Sequence, residues 1–170
     1  MEFIVTTDPP IVSVKRPSLK HCYWGWLKLF FLKYIKGCGM NIVVDTSVIL
    51  AVLLEEPEKK DLLAITKDCE LLAPGSLYWE LGNALSAMFK KNRITLKESL
   101  QVIEVFEQIR IKYCKINISK ALELAFEMKM YAYDAYMIEC ARNQKAPLLT
   151  LDTVLRENAL LKKVKIIEVK

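Results

Sequence analysis

Hydrophobic and polar residues follow two different periods from Met40 onwards. Short runs of aliphatic and β-branched residues are separated by longer stretches in which apolar residues recur at helical spacing. The short runs predict strands and the longer stretches predict helices. Strands are predicted at Ile42–Val44, Leu71–Ala73, Cys114–Ile118, Pro147–Thr150 and Val164–Val169. Helices are predicted at Thr46–Leu54, Glu58–Cys69, Leu77–Met88, Ser119–Met128, Tyr133–Gln144 and Thr153–Leu161, with another that starts at Thr95. This alternation predicts an α/β fold, a three-layer α/β/α sandwich with a short central parallel sheet.

Polar residues predict where several helices begin. Pro74-Gly75-Ser76 reads as a turn followed by an N-cap residue, and Ser119 is predicted to cap the helix that follows it. Thr95 and Glu98 have the spacing of a capping box, in which each side chain pairs with the backbone N–H of the other residue.

Residues 1–39 follow neither period. They contain three prolines within the first 17 positions and then an apolar, aromatic run at 22–35, CYWGWLKLFFLKYI, which two lysines interrupt. The run is shorter than the roughly 20 residues that a membrane-spanning helix needs. A signal peptide, an interfacial anchor and a partner-binding segment all fit it, and so does a natural start at Met40. We predict an N-terminal extension at 1–39 and a single domain at 40–170.

Composition narrows the chemistry that the chain can perform. Hydrophobic residues make up 53% of the 170 positions, which is enough for a packed core. The five cysteines form no CxxC pair and His21 is the sole histidine, so neither a disulfide framework nor a zinc site is indicated. Residues 1–39 hold six basic and two acidic residues, which is four of the five net positive charges. The basic balance therefore does not indicate that the domain itself binds nucleic acid.

Two aspartates follow predicted strands. Asp45 comes directly after Ile42–Val44, and Asp152 follows Pro147–Thr150. Because ligand sites of parallel sheets lie at the carboxyl ends of the strands, we expect both side chains at one edge of the sheet. A helix N-cap is the alternative role for each of them.

Two further acids lie on predicted helices. Glu80 falls at the boundary between the apolar stripe and the polar face of its helix, where a solvated residue is the ordinary alternative. Asp134 falls between Met137 and Ile138 in an apolar arc, where a carboxylate is costly unless something compensates its charge. Backbone amides would compensate it, and so would a metal ion.

A site shared by the four acids would require a cation. Carboxylates held together raise one another's pKa, and a divalent ion removes that conflict. Oxygen ligands without His or Cys favour Mg²⁺ or Mn²⁺, as one or two ions, and such ions suit phosphoryl chemistry. A phosphoacceptor receiver domain also has an acidic pocket. It would need neighbouring acids after the first strand, where Val43-Val44 precede Asp45 instead.

The residues around the four acids form an ordered set of motifs. The motifs are Val43-Val44-Asp45-Thr46-Ser47, Trp79-Glu80-Leu81-Gly82-Asn83-Ala84-Leu85, Tyr133-Asp134-Ala135-Tyr136 and Leu149-Thr150-Leu151-Asp152. Over residues 40–170 their order and spacing resemble the PIN-domain nucleases and, among these, the VapC-type toxins of prokaryotic toxin–antitoxin pairs. The resemblance implies a Mg²⁺- or Mn²⁺-dependent endoribonuclease that hydrolyses RNA phosphodiester bonds and leaves 5′-phosphate and 3′-hydroxyl ends.

The same resemblance implies roles for individual residues and for partners. The catalytic quartet that binds the metal would be Asp45, Glu80, Asp134 and Asp152. The residues that support the quartet through hydroxyl or amide groups would be Thr46, Ser47, Asn83 and Thr150. The family also implies a homodimer, inhibition by a cognate antitoxin and, with no stable membrane span, a cytoplasmic location.

Other residues are candidates for contact with RNA. A basic cluster after the third predicted helix could contact phosphate, or could be an ordinary solvated helix end: Lys90, Lys91 and Arg93. Three rings could stack on bases or pack within the protein: Tyr78, Tyr133 and Tyr136.

A non-catalytic RNA- or protein-binding module of the same fold is the main alternative function. The presence of all four acids argues against a degenerate site. A membrane-associated regulator would rest on residues 22–35 alone.

Overall fold

The computed structural model describes residues 39–169, so the aromatic run at 22–35 lies outside the described residues. Four parallel strands form one sheet in the order β3-β2-β1-β4. The strands are β1 (Asn41–Val44), β2 (Glu70–Pro74), β3 (Ile111–Cys114) and β4 (Leu148–Leu149). The helices in this part of the chain are α1 (Thr46–Leu53), α2 (Lys59–Thr66), α3 (Ser76–Lys90), α4 (Leu96–Phe106), α5 (Ile118–Met128), α6 (Ala132–Gln144) and α7 (Thr153–Leu161).

Helices cover both faces of the sheet. The chain moves outward from β1 to β2 to β3 through α1–α4, and then returns across the sheet to β4 through α5 and α6. Because connections between parallel strands are right-handed, outward and returning connections lie on opposite faces. The helix contacts agree, since α1, α3 and α4 pack on one another and α5 packs on α6. The predicted three-layer α/β/α sandwich with a short parallel sheet is confirmed.

The strand order reverses between β1 and β4. In an open parallel sheet, the crevice at the carboxyl ends of the strands beside such a reversal is where ligands bind. Val44 pairs with Leu149, so Asp45 and Thr150 leave the sheet side by side. The hydrophobic strand β1, buried from Ile42 to Val44, fixes this edge against the core.

Two predicted strands differ from the structure because pairing partners decide where strands form. The strand predicted at Cys114–Ile118 lies instead at Ile111–Cys114, where the chain pairs with β2. It is an edge strand in which Lys112 and Tyr113 are exposed, so its sequence lacks the apolar run that marks a buried strand. The strand predicted at Val164–Val169 is reduced to one parallel bridge, between Leu148 and Ile166.

The predicted helix starts were partly correct. The capping box of Thr95 and Glu98 is confirmed. Gly75, rather than Ser76, occupies the N-cap of α3, and no side chain caps that helix. Asn117 caps α5 by accepting a hydrogen bond from the Lys120 N–H at 3.1 Å, so Ser119 lies inside the helix.

No helix within residues 39–169 combines the length and the apolar content needed to cross a bilayer.

The capping of α5 gives a test of the fold. Asn117→Ala should lower the free energy of unfolding by about 1 kcal/mol, because an N–H at the helix start loses its acceptor. For a chain of this size that is a fall of about 2–4 °C in Tm. Ser119→Ala should leave the Tm unchanged or raise it slightly, since alanine is favoured inside a helix. Equal losses in the two variants would contradict the assignment of the cap.

Candidate functional site

Asp45 directly follows β1 and caps α1 with a buried carboxylate. Its Oδ1 accepts a hydrogen bond from the Thr46 N–H at 2.7 Å, and its Oδ2 accepts one from the Ser47 N–H at 3.3 Å. The Ser47 hydroxyl donates to Oδ2 at 2.6 Å, and the Thr150 hydroxyl donates to the same oxygen at 2.9 Å. Burial raises the pKa of Asp45, and these four hydrogen bonds oppose that rise. The network fixes the direction of the side chain.

Two hydroxyls connect this cap to the segment after β4. The Ser47 hydroxyl accepts a hydrogen bond from the Leu151 N–H at 3.0 Å, and the Thr150 hydroxyl accepts one from the Asp152 N–H at 2.9 Å. Asp152 in turn caps α7 by accepting from the Leu155 N–H at 2.9 Å. Asp45 and Asp152 are therefore helix N-caps, the alternative role predicted for each, and they also lie at the same edge of the sheet.

Glu80 lies in the second turn of α3, which begins at the carboxyl end of β2. Its pKa is raised to about 7, first by burial and then by the charge of Asp45, with smaller contributions from Asp134 and Asp152. The Thr46 hydroxyl partly opposes this rise. The structure thus brings Glu80 within electrostatic reach of all three aspartates.

Asp134 lies in the first turn of α6 and is half-buried. Its pKa is raised to about 6, mainly by burial and then by the charges of Asp152 and Asp45. The four acids therefore form one electrostatically coupled group, which we call the acidic edge: Asp45, Glu80, Asp134 and Asp152. The raised pKa values of Glu80 and Asp134 come first from burial and then from the charges of neighbouring carboxylates.

The side chains of the acidic edge, as placed in the structure, do not form a complete metal-binding site. Within residues 39–169, no three His, Cys, Asp or Glu side chains are placed to hold one metal ion directly. However, two buried oxygens at this edge, Glu80 Oε2 and Thr46 Oγ1, make no hydrogen bond of regular geometry with the described residues, although the Thr46 hydroxyl is close enough to Glu80 to lower its pKa. Buried oxygens without partners are rare in folded proteins, and these two lie where negative charge accumulates. The donors are all oxygens, so their chemistry fits a hard divalent cation.

The remaining predicted site residues lie on the surface. Asn83 is exposed on α3. The basic residues Lys90, Lys91 and Arg93 are also exposed, at the end of α3 that is farther from the sheet edge. Ten residues of helix separate Lys90 from Glu80, a rise of about 15 Å. The contact of this cluster with RNA stays a prediction.

Exposed aromatic residues are adjacent in sequence to two acids of the acidic edge. Trp79, next to Glu80, is 70% exposed, and its ring makes an edge contact with Tyr78 at a centroid distance of 5.3 Å. Tyr133, next to Asp134, is 44% exposed and makes an edge contact with Tyr136. Trp79 was not among the rings predicted to contact a ligand. The sequence signal that points to Trp79 is its position next to Glu80, a candidate metal ligand.

Comparison with known proteins identifies a family. The model of the PIN domain family matches residues 42–161. Among solved structures, the crystal structure of PAE2754 from Pyrobaculum aerophilum is similar, with a TM-score of 0.54 and 19% sequence identity over 84% of this chain and 88% of that chain. At that identity the likeness establishes the fold. No protein in the curated set matches the chain.

The pKa of Glu80 gives a test that needs no substrate. Because this pKa is raised from 4.5 to about 7, the folded chain holds a proton that the unfolded chain releases. Without metal, stability should therefore fall as the pH rises through that window. Glu80→Gln removes this contribution, so the variant should gain stability relative to wild type between about pH 5 and about pH 8.

The measurement is the denaturation midpoint in the presence of a chelator. The matched control is Glu123→Gln, at an exposed position of α5. Its denaturation midpoint should equal that of wild type at about pH 5 and at about pH 8. A difference between Glu80→Gln and wild type that does not depend on pH would show that Glu80 is an ordinary surface residue.

Proposed function

The chain belongs to the PIN domain family, whose members are generally nucleases, and on this basis we propose that it is a Mg²⁺- or Mn²⁺-dependent endoribonuclease. PIN nucleases typically use divalent metals. The observation that carries the proposal is the half-buried carboxyl of Glu80. Burial and three neighbouring aspartates raise its pKa, and its Oε2 makes no hydrogen bond of regular geometry with the described residues. A divalent cation would offset the repulsion between the carboxylates and would give Glu80 Oε2 a ligand contact.

In this proposal the four carboxylates hold one or two ions. When bound, the cation would polarise the scissile phosphate and lower the pKa of the attacking water. Asp45 would be the most rigid ligand, since four hydrogen bonds hold its carboxylate. The hydroxyls of Ser47 and Thr150 would position Asp45, and an acid that the ion does not fully engage would accept a proton from water.

Single-stranded RNA is the substrate class that the surroundings support. The exposed rings of Trp79 and Tyr133 flank Glu80 and Asp134 along the chain. Unpaired bases stack on such rings, whereas bases within a duplex are not available to them. We therefore propose cleavage in unpaired regions of RNA.

A toxin role is the more specific proposal, and it rests on the resemblance to VapC-type toxins. In it the chain acts in the cytoplasm as a homodimer and a cognate antitoxin inhibits it. The apolar stripe of α5 is available to a protein partner, since Ile118, Leu122 and Phe126 are 58%, 51% and 88% exposed. Co-purification with the product of an adjacent small reading frame, together with loss of cleavage in the complex, is the test of this role.

A non-catalytic binding module of the same fold remains the alternative function. Such a module would have no reason to gain affinity for Mn²⁺ at the acidic edge. Calorimetric titration of the full chain with Mn²⁺ separates the two functions before any substrate is known.

Asp45→Asn should lower metal-dependent RNA cleavage by more than about 100-fold, because outer residues of metal sites alone account for about 10–100-fold. The fold should persist, since an amide oxygen in the place of Oδ2 keeps three of the four hydrogen bonds, and the relief of repulsion offsets the loss of the Thr46 N–H contact. Cleavage of a labelled single-stranded RNA with Mn²⁺ and with chelator measures the effect. Asp61→Asn, at an exposed position of α2, is the matched control and should cleave like wild type. Undiminished cleavage by Asp45→Asn would remove Asp45 from the site.

We also propose that residues 40–170 carry the whole activity. The family match begins at residue 42, which agrees with this division. A chain that starts at Met40 should therefore cleave RNA at a rate within a few fold of the full chain in the same assay. Complete loss of cleavage, or failure of the shorter chain to fold, would show that residues 1–39 belong to the domain.

A further inference from the structure

A small cavity adjoins the acidic edge. It has a volume of about 110 Å³ and lies between the start of α7 and the C-terminal segment. Thr150 and Asp152 of the site form one wall, and the first turns of α7 and the segment at 167–169 form the others. The cavity therefore opens beside the place where the proposed reaction occurs.

Arg156 is the cationic residue among the described residues that line this cavity. It lies one helical turn after Asp152, and its backbone N–H donates to the Asp152 carbonyl at 3.0 Å. The Arg156 side chain lines the cavity together with Thr150 and Asp152, and its guanidinium is paired with Glu168 of the C-terminal segment. Its Nη1 lies 3.4 Å from Glu168 Oε2, and the Glu168 side chain is 68% exposed.

We infer that this cavity binds a phosphate of the RNA backbone that neighbours the scissile one, and that the Arg156 guanidinium is its ligand. The inference rests on the proposed nuclease function. Four carboxylates repel a polyanion, so a strand that approaches the acidic edge needs a cation close by. A guanidinium binds phosphate through two parallel N–H donors, which fixes the strand as well as attracting it.

The position of Arg156 favours it over the basic cluster predicted from sequence. Lys90 lies about 15 Å along α3 from Glu80, by the rise of a helix. Arg156 instead lines the same cavity as Thr150 and Asp152. It therefore contacts the strand next to the cut, whereas the cluster on α3 lies beyond it.

Glu168 forms an ion pair with the Arg156 guanidinium. Their ion pair is partly exposed, and exposed pairs are weak. A phosphate would displace the Glu168 carboxylate, which would then oppose binding by its charge. Neutralising the two members of this pair should therefore change RNA affinity in opposite directions.

The test measures binding of a fluorescein-labelled, mixed-sequence single-stranded RNA to the full chain at several salt concentrations. Asp45→Asn is present in every protein so that the RNA stays intact. Arg156→Gln should weaken binding about tenfold at low salt, the size of one contact to a charged group. The slope of log affinity against log salt should fall by about 0.7, because one phosphate contact is lost.

Three further variants make the result specific. Arg156→Lys should bind RNA more tightly than Arg156→Gln but less tightly than the parent. Lysine keeps the positive charge but lacks the two parallel N–H donors of the guanidinium. Glu168→Gln should bind more tightly than its parent. Arg110→Gln, an exposed arginine at the opposite edge of the sheet, is the matched control and should keep both affinity and slope.

Each outcome has one meaning. Unchanged affinity and slope in a folded Arg156→Gln chain would overturn the phosphate subsite and leave the nuclease standing, provided that the chain with Asp45 intact cleaves the RNA. A chain that neither binds nor cleaves RNA would overturn both. If Arg156→Gln fails to fold, Glu168→Gln decides, because tighter binding supports the subsite and unchanged or weaker binding overturns it.

Discussion

The buried carboxylate of Asp45, directly after the first strand, is the constraint around which the acidic edge is organised. A buried charge must be hydrogen-bonded, and here two backbone amides and two hydroxyls donate to it. One of those hydroxyls belongs to Thr150, which directly follows β4, the strand next to β1. The interaction that satisfies Asp45 therefore also holds β1 and β4 in register at their carboxyl ends. The hydrogen bonds that stabilise this part of the fold are therefore the same ones that orient the carboxylate of Asp45 for its proposed role.

The other acids make this edge electrostatically unfavourable. Glu80 and Asp134 have raised pKa values because they are removed from water and face other carboxylates. Proton binding relieves part of the conflict, and a cation would relieve it without neutralising the ligands. In the proposed nuclease, the stability of the metal-free chain and the binding of metal therefore place opposite demands on this edge. The helices that carry the acids are fixed by the core, which is why the conflict persists in the folded chain.

Sequence reasoning succeeded where the signal was local or followed from topology. A strand-end aspartate is visible as a residue type after an apolar run, and Asp45 and Asp152 meet because parallel strands share an edge. It failed where a partner distant in sequence decides, as for β3, which forms where β2 is available for pairing. Ser119 and Asn117 are both good caps, and only the backbone distinguishes them. That Asp45 could be a cap and a site residue together was not foreseen, because the two roles were weighed as alternatives. Arg156 was missed because its proximity to Asp152 matters only once the C-terminal segment closes the cavity.

The hydrogen bond between Asp45 and Thr150 spans 105 positions of the chain. During synthesis the N-terminal partner is made long before the C-terminal one, and Asp152 comes later still. A growing polypeptide therefore carries no complete acidic edge until the segment that contains Asp152 has been translated. For the proposed nuclease, cleavage of RNA would therefore begin only after both of these parts of the chain have been made and have folded together.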